Sequence, residues 1–241
     1  MAFLVYAKAM DKRFEPVIWI QSAGHLAYLV GNQVRSRLLG QIYDPKDIDV
    51  ATSAQPAQVA EVLRSHGVLP TNLDDKFGTV AFQLEGHNYE VTAFRRDTYD
   101  PSFDHIKRTP SQIVFQGIDL KTDAQRRDFT INAIYWDPKT SRYVDPVGGE
   151  QDLMNKTLRF IGDPELRIKE DPLRVLRAIR FRWALGLRYH AATRIALRQN
   201  GELVHRLQGP ALKKEFQKIQ NLPNYQRARK EMQEFGVITR T

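Results

Sequence analysis

Two aspartates one residue apart, Asp47 and Asp49, are the side chains in this sequence best suited to metal chemistry. Their surroundings predict a strand. Because strand side chains alternate between faces, both carboxylates point one way while Ile48 and Val50 point into the core. Neighbouring carboxylates repel each other, and a hard divalent cation such as Mg²⁺ relieves that repulsion. The alternative is an acidic strand end in a solvated turn, since aspartate pairs with this spacing are common.

A glycine turn precedes the acidic strand. An apolar run ends at Gly31 and Asn32, and a short helical pattern then continues to Gly40. Glycine lets backbone N–H groups approach a phosphate, and a helix N-terminus favours anions. Arg35, in the first turn of this helix, could bind a triphosphate with its forked guanidinium group. Strand, glycine turn, helix and acidic strand in this order indicate a nucleotidyltransferase.

Two adjacent arginines form a third candidate group. Arg126 and Arg127 precede Asp128, which is predicted to cap a helix with Phe129 on its apolar face. Both arginines would then lie near the acidic strand and could contact phosphate. The alternative is a capped helix whose arginines are solvated.

A fourth candidate is a helix with a strip of arginines. Asp171 stands before a proline, which predicts a helix N-cap. Arg174, Arg177 and Arg180 then share one strip of that helix, and their charges repel unless something anionic lies along it. The alternative, a cap with a local Asp171–Arg174 ion pair, explains the aspartate and leaves the strip unexplained.

The same Asp171–Arg174 pair could select nucleobases. A carboxylate only accepts hydrogen bonds and a guanidinium only donates them. Cytosine and adenine present an amine donor beside a ring-nitrogen acceptor, whereas uracil and guanine present the reverse order. One such pair could therefore accept C and A and reject U and G.

Composition narrows the class of protein. The chain has 241 residues, 42% of them hydrophobic and 27% charged, as in an ordinary soluble protein of one large or two small domains. It has no cysteine, which excludes disulfides, thiolate metal sites and cysteine nucleophiles. No membrane span or signal peptide is apparent, so we expect a cytoplasmic protein without membrane partners.

The net charge of the chain is positive, and its basic residues are distributed unevenly. The net charge is +8, and basic residues dominate from Arg174 to Arg240. A basic, helical C-terminal third suits a polyanion such as nucleic acid. A generic basic surface is the alternative.

The predicted fold is α+β, with a mixed sheet and flanking helices. Strands are predicted at 46–52, 79–84 and 89–94, a long loop at 97–112 and one helix at 120–135. Further predictions are a strand pair at 142–145 and 157–161, and helices at 172–187, 191–199, 202–207, 212–219 and 224–235. We therefore expect a catalytic head at 1–145, a helical neck at 146–200 and a short helical segment at 201–241.

Taken in order, these motifs resemble the class II tRNA nucleotidyltransferases (CCA-adding enzymes) and the related bacterial poly(A) polymerases. The matching segments are 29–40, 46–52, 126–133, 145–149 and 170–181. The resemblance implies a polymerase-β-like head and the template-independent addition of C, C and A to tRNA 3′ ends from CTP and ATP.

The resemblance also implies roles for individual residues. Asp47 and Asp49 would hold two Mg²⁺ ions, and Glu90 is the candidate for a third catalytic carboxylate. The triphosphate would be held by the turn at Gly31 and Asn32 together with Arg35 and Arg127. The base would be read by Asp171 and Arg174, in a pocket completed by Arg177 and Arg180. The 97–112 loop would assist the switch from C to A addition.

The chain departs from the family pattern at three points. The family usually has a second glycine at Asn32 and an aspartate at Ser36, a carboxylate that could hold Arg35. Relatives usually continue into body and tail domains that grip tRNA, so we expect that grip to be minimal, to come from the basic helices, or to be shared with a second subunit of a homodimer.

Two other functions remain open from the sequence. An A-adding enzyme or poly(A) polymerase shares every motif. A non-catalytic RNA-binding protein with the same fold is favoured by Asn32 and Ser36 and opposed by the intact Asp47 and Asp49.

Overall fold

A mixed sheet carries the acidic strand at its centre. The structure is a computed structural model that describes residues 11–41, 46–100 and 109–239. The strands within these residues are β1 Ala27–Val30, β2 Asp47–Thr52, β3 Asn72–Asp74, β4 Thr79–Leu84, β5 His87–Ala93, β6 Arg96–Thr98, β7 Gln112–Val114, β8 Tyr135–Asp137, β9 Arg142–Val144, β10 Thr157–Leu158 and β11 Arg188–Tyr189. Seven of them form one sheet in the order β3-β4-β5-β2-β1-β8-β9. The predicted α+β class is confirmed.

Helices cover the sheet and form most of the chain beyond it. The α-helices of the described residues are α1 Glu15–Ser22, α2 Asn32–Leu38, α3 Pro56–Ser65, α4 Leu120–Arg126, α5 Gly149–Met154, α6 Pro164–Glu170, α7 Leu173–Leu185, α8 Ala191–Asn200, α9 Pro210–Gln220 and α10 Tyr225–Glu234. Short 3-10 turns lie at Lys12–Phe14, Thr130–Asn132 and Gly201–Arg206. No helix in these described stretches is long and apolar enough to span a membrane.

The alternation predicted for β2 is present. Ile48 and Val50 are fully buried on one face of the sheet, whereas Asp47 and Asp49 are exposed on the other. β2 is parallel to β5 and antiparallel to β1. The apolar face is covered by α1 and α3, which contribute Ile20, among others, to the same core as Ile48 and Val50. The sheet therefore leaves its acidic face open for chemistry.

The hairpin of β4 and β5 brings a second strand beside β2. Its two turn residues, Glu85 and Gly86, have φ of 48° and 82°. Positive φ at both central residues matches the twist of the flanking strands, as in a type I′ turn. Val91 of β5 is 1% exposed and packs into the same core as Val50.

The α7 helix links the sheet to the C-terminal helices. α7 packs against α6, α9 and α10, and its buried residues Val175, Leu176 and Ile179 belong to the same hydrophobic core as Val50. Near its C-terminal end, the indole Nε1 of Trp183 donates a 2.6 Å hydrogen bond to Glu231 of α10. Head and helical part thus share one core.

The helix predicted at 120–135 is present only in its first half. α4 ends at Arg126, Arg127 is extended with ψ of 164°, and β8 begins at Tyr135. The chain leaves the helix because Phe129 forms a β-bridge with Phe160, and Thr130 N–H bonds the Arg159 carbonyl at 3.0 Å. These long-range contacts override the local helical pattern.

Other predicted elements pair differently from expectation. β9 pairs with β8, and β10 forms a parallel pair with β11, so the predicted pairing of 142–145 with 157–161 is wrong and the neck is not all-helical. The predicted 97–112 loop begins and ends as paired strands, β6 and β7. Its residues 101–108 lie outside the described residues.

Candidate active site

Three carboxylates lie on the open face of the sheet. In the parallel register, Asp49 is paired with Glu90 and Asp47 with Asn88. Asn88 Nδ2 donates a 2.9 Å hydrogen bond to Asp47 Oδ1. Both side chains are reached by solvent, but the surrounding protein partly desolvates their carboxylates, which raises the pKa of Asp49 and of Glu90, and the charges of neighbouring carboxylates raise both further. Such destabilised negative charge is what a bound cation would relieve.

The site fits a divalent cation held by two protein carboxylates. Asp47 and Asp49 share a face two residues apart, and hard oxygen donors are the ligands Mg²⁺ prefers. Within the described residues, no group of three or more His, Cys, Asp or Glu side chains is placed to hold a metal ion. Glu90 therefore lies on the predicted face without completing a three-carboxylate ligand set. Mg²⁺ is commonly bound by one or two carboxylates with substrate phosphates and waters.

Position 31 requires a glycine for two reasons, its backbone conformation and the closeness of a neighbouring side chain. Gly31 caps α2 with φ of 83°, a conformation that disfavours any side chain. A Cβ at this position would lie 2.9 Å from Asp49 Oδ2. Asn32, the next residue, is the first residue of α2 and is not in the left-handed region. The glycine turn therefore lies directly against the acidic strand β2.

Arg35 is buried beside this turn. It is 5% exposed, its Nη1 donates to Asn132 Oδ1, and its Nη2 donates to Asn32 Oδ1 at 3.3 Å. Burial lowers its pKa to about 10. Its guanidinium also lies 5.2 Å from the centre of the Phe181 ring. Two amide oxygens thus hold Arg35, and its predicted contact with triphosphate stays a prediction.

Arg127 is held by a fully buried carboxylate. Asp123 is 0% exposed and accepts from Arg126 Nε at 2.7 Å and from Arg127 Nη2 at 3.1 Å. Tyr135 OH donates to Asp123 at 2.8 Å and accepts from Arg127 Nε at 2.9 Å. Burial alone would raise the pKa of Asp123, but Arg127 and Arg126 lower it. The predicted pair of phosphate-binding arginines therefore has a rigid anionic anchor.

Each arginine of the α7 strip has a carboxylate partner within the protein. Arg174 Nη1 bonds Glu170 at 2.8 Å, Arg177 bonds Asp128 at 2.5 and 2.8 Å, and Arg180 bonds Glu215 of α9. The anion that the strip requires is thus supplied by the fold. The strip by itself does not indicate a nucleotide.

Asp128 has a different role from the predicted helix cap. It is 7% exposed, and its Oδ1 accepts from Phe129 N and Asn132 Nδ2, both at 2.8 Å, while Oδ2 takes Arg177. Burial would raise its pKa, but Arg177 and Asn132 hold the pKa of this carboxyl well below its usual range. Asp128 therefore joins the 3-10 turn to α7.

The predicted base-reading pair lies at the start of α7. Asp171 Oδ1 accepts from Leu173 N at 3.0 Å, but Pro172 is the cap residue of α7 and Asp171 caps the C-terminus of α6, so the predicted N-cap is displaced by one residue. Arg174 is 6% exposed, its Nη1 donates to Glu170 and to the Arg167 carbonyl, and its guanidinium lies 6.0 Å from the centre of the Tyr99 ring. Among the described residues, no hydrogen bond uses its Nε or Nη2.

Several supporting side chains were not predicted, among them Asp123, Asn132, Tyr135, Glu170, Glu215 and Phe181. Asp123 could have been found, since it stands three and four residues before the two arginines on one helix. Glu215 is 35 residues from Arg180 and gives no local signal.

Comparison with known proteins agrees with this arrangement. Residues 27–159 match the model of the poly(A) polymerase head domain. The CCA-adding enzyme of Geobacillus sp. (strain WCH70) is 36% identical over 221 residues, which cover 91% of this chain and 51% of that relative. The chain thus spans about half the length of the curated relatives it matches.

Solved structures show the same likeness. The Bacillus stearothermophilus CCA-adding enzyme in complex with CTP superposes with a TM-score of 0.81 at 31% identity, covering 95% of this chain and 54% of that one. The Thermotoga maritima CCA-adding enzyme complexed with tRNA gives a TM-score of 0.72 at 27% identity, covering 92% and 50%. The chain belongs to the poly(A) polymerase head-domain family, that of the class II tRNA nucleotidyltransferases and bacterial poly(A) polymerases.

Proposed function

We propose that this protein adds C, C and A to tRNA 3′ ends from CTP and ATP, without a template and with release of pyrophosphate. The observation that carries the proposal is the acidic face of β2, where Asp47 and Asp49 stand against the glycine turn with Glu90 in register on β5. The relatives named CCA-adding enzyme support this choice over A addition alone.

Asp47 and Asp49 would hold the divalent metal that this family generally uses, and we propose two Mg²⁺ ions. The chemistry that such ions would supply when bound is polarisation of the RNA 3′-hydroxyl and neutralisation of charge on the leaving pyrophosphate. The protein supplies the alignment. The two carboxylates are fixed in a central strand, and the absence of a side chain at Gly31 leaves room for the Asp49 carboxylate, which a Cβ there would approach to 2.9 Å.

Arg127 would bind the triphosphate. Its charge reaches Asp49 strongly enough to be the main factor opposing the rise in that carboxyl's pKa from burial. Asp123 and Tyr135 hold its Nε and Nη2, which fixes the guanidinium before the nucleotide arrives. Arg35 contributes a second positive charge near Asp49.

Asp171 and Arg174 would select the base. Glu170 and the Arg167 carbonyl fix the Arg174 guanidinium through Nη1, leaving its other donors to meet the ring-nitrogen acceptor of C or A. Asp171 would accept from the exocyclic amine. Arg177 and Arg180 support this pocket through their bonds to Asp128 and Glu215.

The test is a single-nucleotide incorporation assay on a tRNA that lacks its CCA end, with each nucleoside triphosphate alone and then CTP with ATP. We expect C, C and A in order and no use of UTP or GTP. The D47N/D49N variant is the blank, and D75N, at an exposed aspartate in the turn after β3, is its matched control. Addition of A alone would identify an A-adding enzyme or a poly(A) polymerase. No incorporation despite tight RNA binding would identify a non-catalytic RNA-binding protein.

A further inference from the structure

The α9 helix packs against α7 and carries exposed lysines on either side of Glu215, the carboxylate that pairs with Arg180. Its buried face includes Glu215 and Ile219, 4% and 0% exposed. Its exposed residues include Lys214 and Lys218. These lysines are four residues apart, so they are neighbours on the helix surface.

Contacts connect α9 to the acidic face. Glu215 bonds Arg180, whose guanidinium lies 4.1 Å from the centre of the Phe181 ring. Arg35, beside the glycine turn, lies 5.2 Å from the same ring centre. Lys218 Nζ lies 4.0 Å from the second oxygen of Glu215. Lys218 of α9 therefore lies next to Arg180, the last arginine of the α7 strip.

Lys214 directly precedes Glu215 on α9 and is exposed. Glu215 is buried and pairs with Arg180, whose guanidinium contacts the same Phe181 ring as Arg35 beside the glycine turn. No hydrogen bond or ion pair to another described residue holds Lys214. Its charge is available to a ligand that enters the site past α9.

We propose that Lys214 and Lys218 bind backbone phosphates near the 3′ end of the RNA substrate, which makes α9 an RNA-docking surface. The inference rests on the proposed function. It goes further by assigning the RNA contact to the lysines of α9, because the arginines of the α7 strip already pair with carboxylates of the protein.

RNA suits these lysines better than the nucleotide does. Lysine is a flexible point charge that positions a nucleic-acid backbone without reading its sequence. The nucleotide's own cation is Arg127, held rigidly by Asp123 beside Asp49. Glu215 is shared by Arg180 and Lys218, so this cluster carries a net positive charge at the edge of the site.

The experiment measures binding of a tRNA without its CCA end, in the absence of nucleotide, at several salt concentrations. We expect the K214Q/K218Q variant to bind several-fold more weakly at low salt. The slope of log affinity against log salt should fall by about 2, since each lost phosphate contact changes it by about 1. K214R/K218R should restore both values. In turnover, the KM for tRNA should rise while the KM for CTP does not.

The matched control is K76Q/K139Q. These exposed lysines lie in the turns after β3 and β8, at the end of the sheet opposite Asp47, so we expect neither RNA affinity nor salt slope to change. Wild-type affinity and slope in K214Q/K218Q would overturn the inference, and so would a selective rise in the KM for CTP. If the wild-type protein binds RNA but incorporates nothing, the proposed function fails while the binding measurement still decides the role of α9.

Discussion

The acidic face of β2 and the arginine strip of α7 both place like charges on one surface, yet the fold treats them in opposite ways. Each arginine of the strip has a carboxylate partner, from Glu170, Asp128 or Glu215. Asp47 and Asp49 instead reinforce the negative charge around Glu90. A strip of charges that the protein neutralises is structural support, whereas one that it leaves unbalanced is reserved for a ligand.

Replacing the two aspartates of β2 tests whether its acidic face serves a ligand, and this change should give the largest effect. D47N/D49N should lower incorporation by about 10³-fold or more, because several kcal/mol of charge stabilisation in the transition state depends on the bound metal. Folding stability should not fall, since burial already disfavours the charge of Asp49. Loss of stability equal to that of a core variant would show that the two carboxylates are structural instead.

Breaking one ion pair of the α7 arginine strip tests whether that strip is structural. D128N leaves the Arg177 guanidinium without its buried partner and should lower the free energy of unfolding by about 3–5 kcal/mol. Denaturant unfolding measures this, with D75N as the exposed control. A change below about 0.5 kcal/mol, the range of ordinary surface substitutions, would refute the strip's structural role.

The same pair predicts a pH dependence of stability. Because Arg177 and Asn132 hold the folded-state pKa of Asp128 below its ordinary value, the stabilisation from its charge is complete above about pH 5. It should be lost progressively as the pH falls below the ordinary value of 3.8. The difference in unfolding free energy between wild type and D128N should therefore shrink on acidification. A constant difference down to pH values of about 2 would contradict this assignment.

A substitution at Gly31 tests whether the space beside the Asp49 carboxylate is needed for turnover. G31A should cost about 1–2 kcal/mol of stability, because alanine is strained at φ of 83°. Its Cβ should also displace the Asp49 carboxylate, 2.9 Å away, and so lower turnover more than stability. G24A, also at a positive φ but with open space around the added methyl, is the matched control, and we expect it to keep full turnover. Equal losses of turnover in both variants would show that strain, not the contact with Asp49, is responsible.

Asn32 should give the smallest effect. N32A removes one of the two amide acceptors of Arg35 and should cost about 1 kcal/mol. Ser36 is buried on the same helix as Arg35, so S36D in the N32A background tests whether a carboxylate can take over this role. Recovery of stability and of the KM for CTP is the expected outcome. No loss in N32A would mean that Asn132 alone holds Arg35.

Much of the head was predictable because its signals are local. The alternation of β2, the glycine turn before α2 and the bounds of β4 follow from short patterns. The helix predicted at 120–135 is present only in its first half, because its second half is drawn into contacts with Phe160 and Arg159. The strip of α7 was identified correctly, but the anions that balance it were not.

The sequence by itself determined which side chains share a face, since strand and helix periodicity place Asp47 with Asp49 and Arg174 with Arg177 and Arg180. It also determined that position 31 needs a glycine. Only the tertiary structure decided that Glu90 pairs with Asp49 and that Asp128 and Glu215 neutralise the strip. These partners are 35 to 49 residues apart along the chain, and packing of the whole core, not local periodicity, brings such residues together.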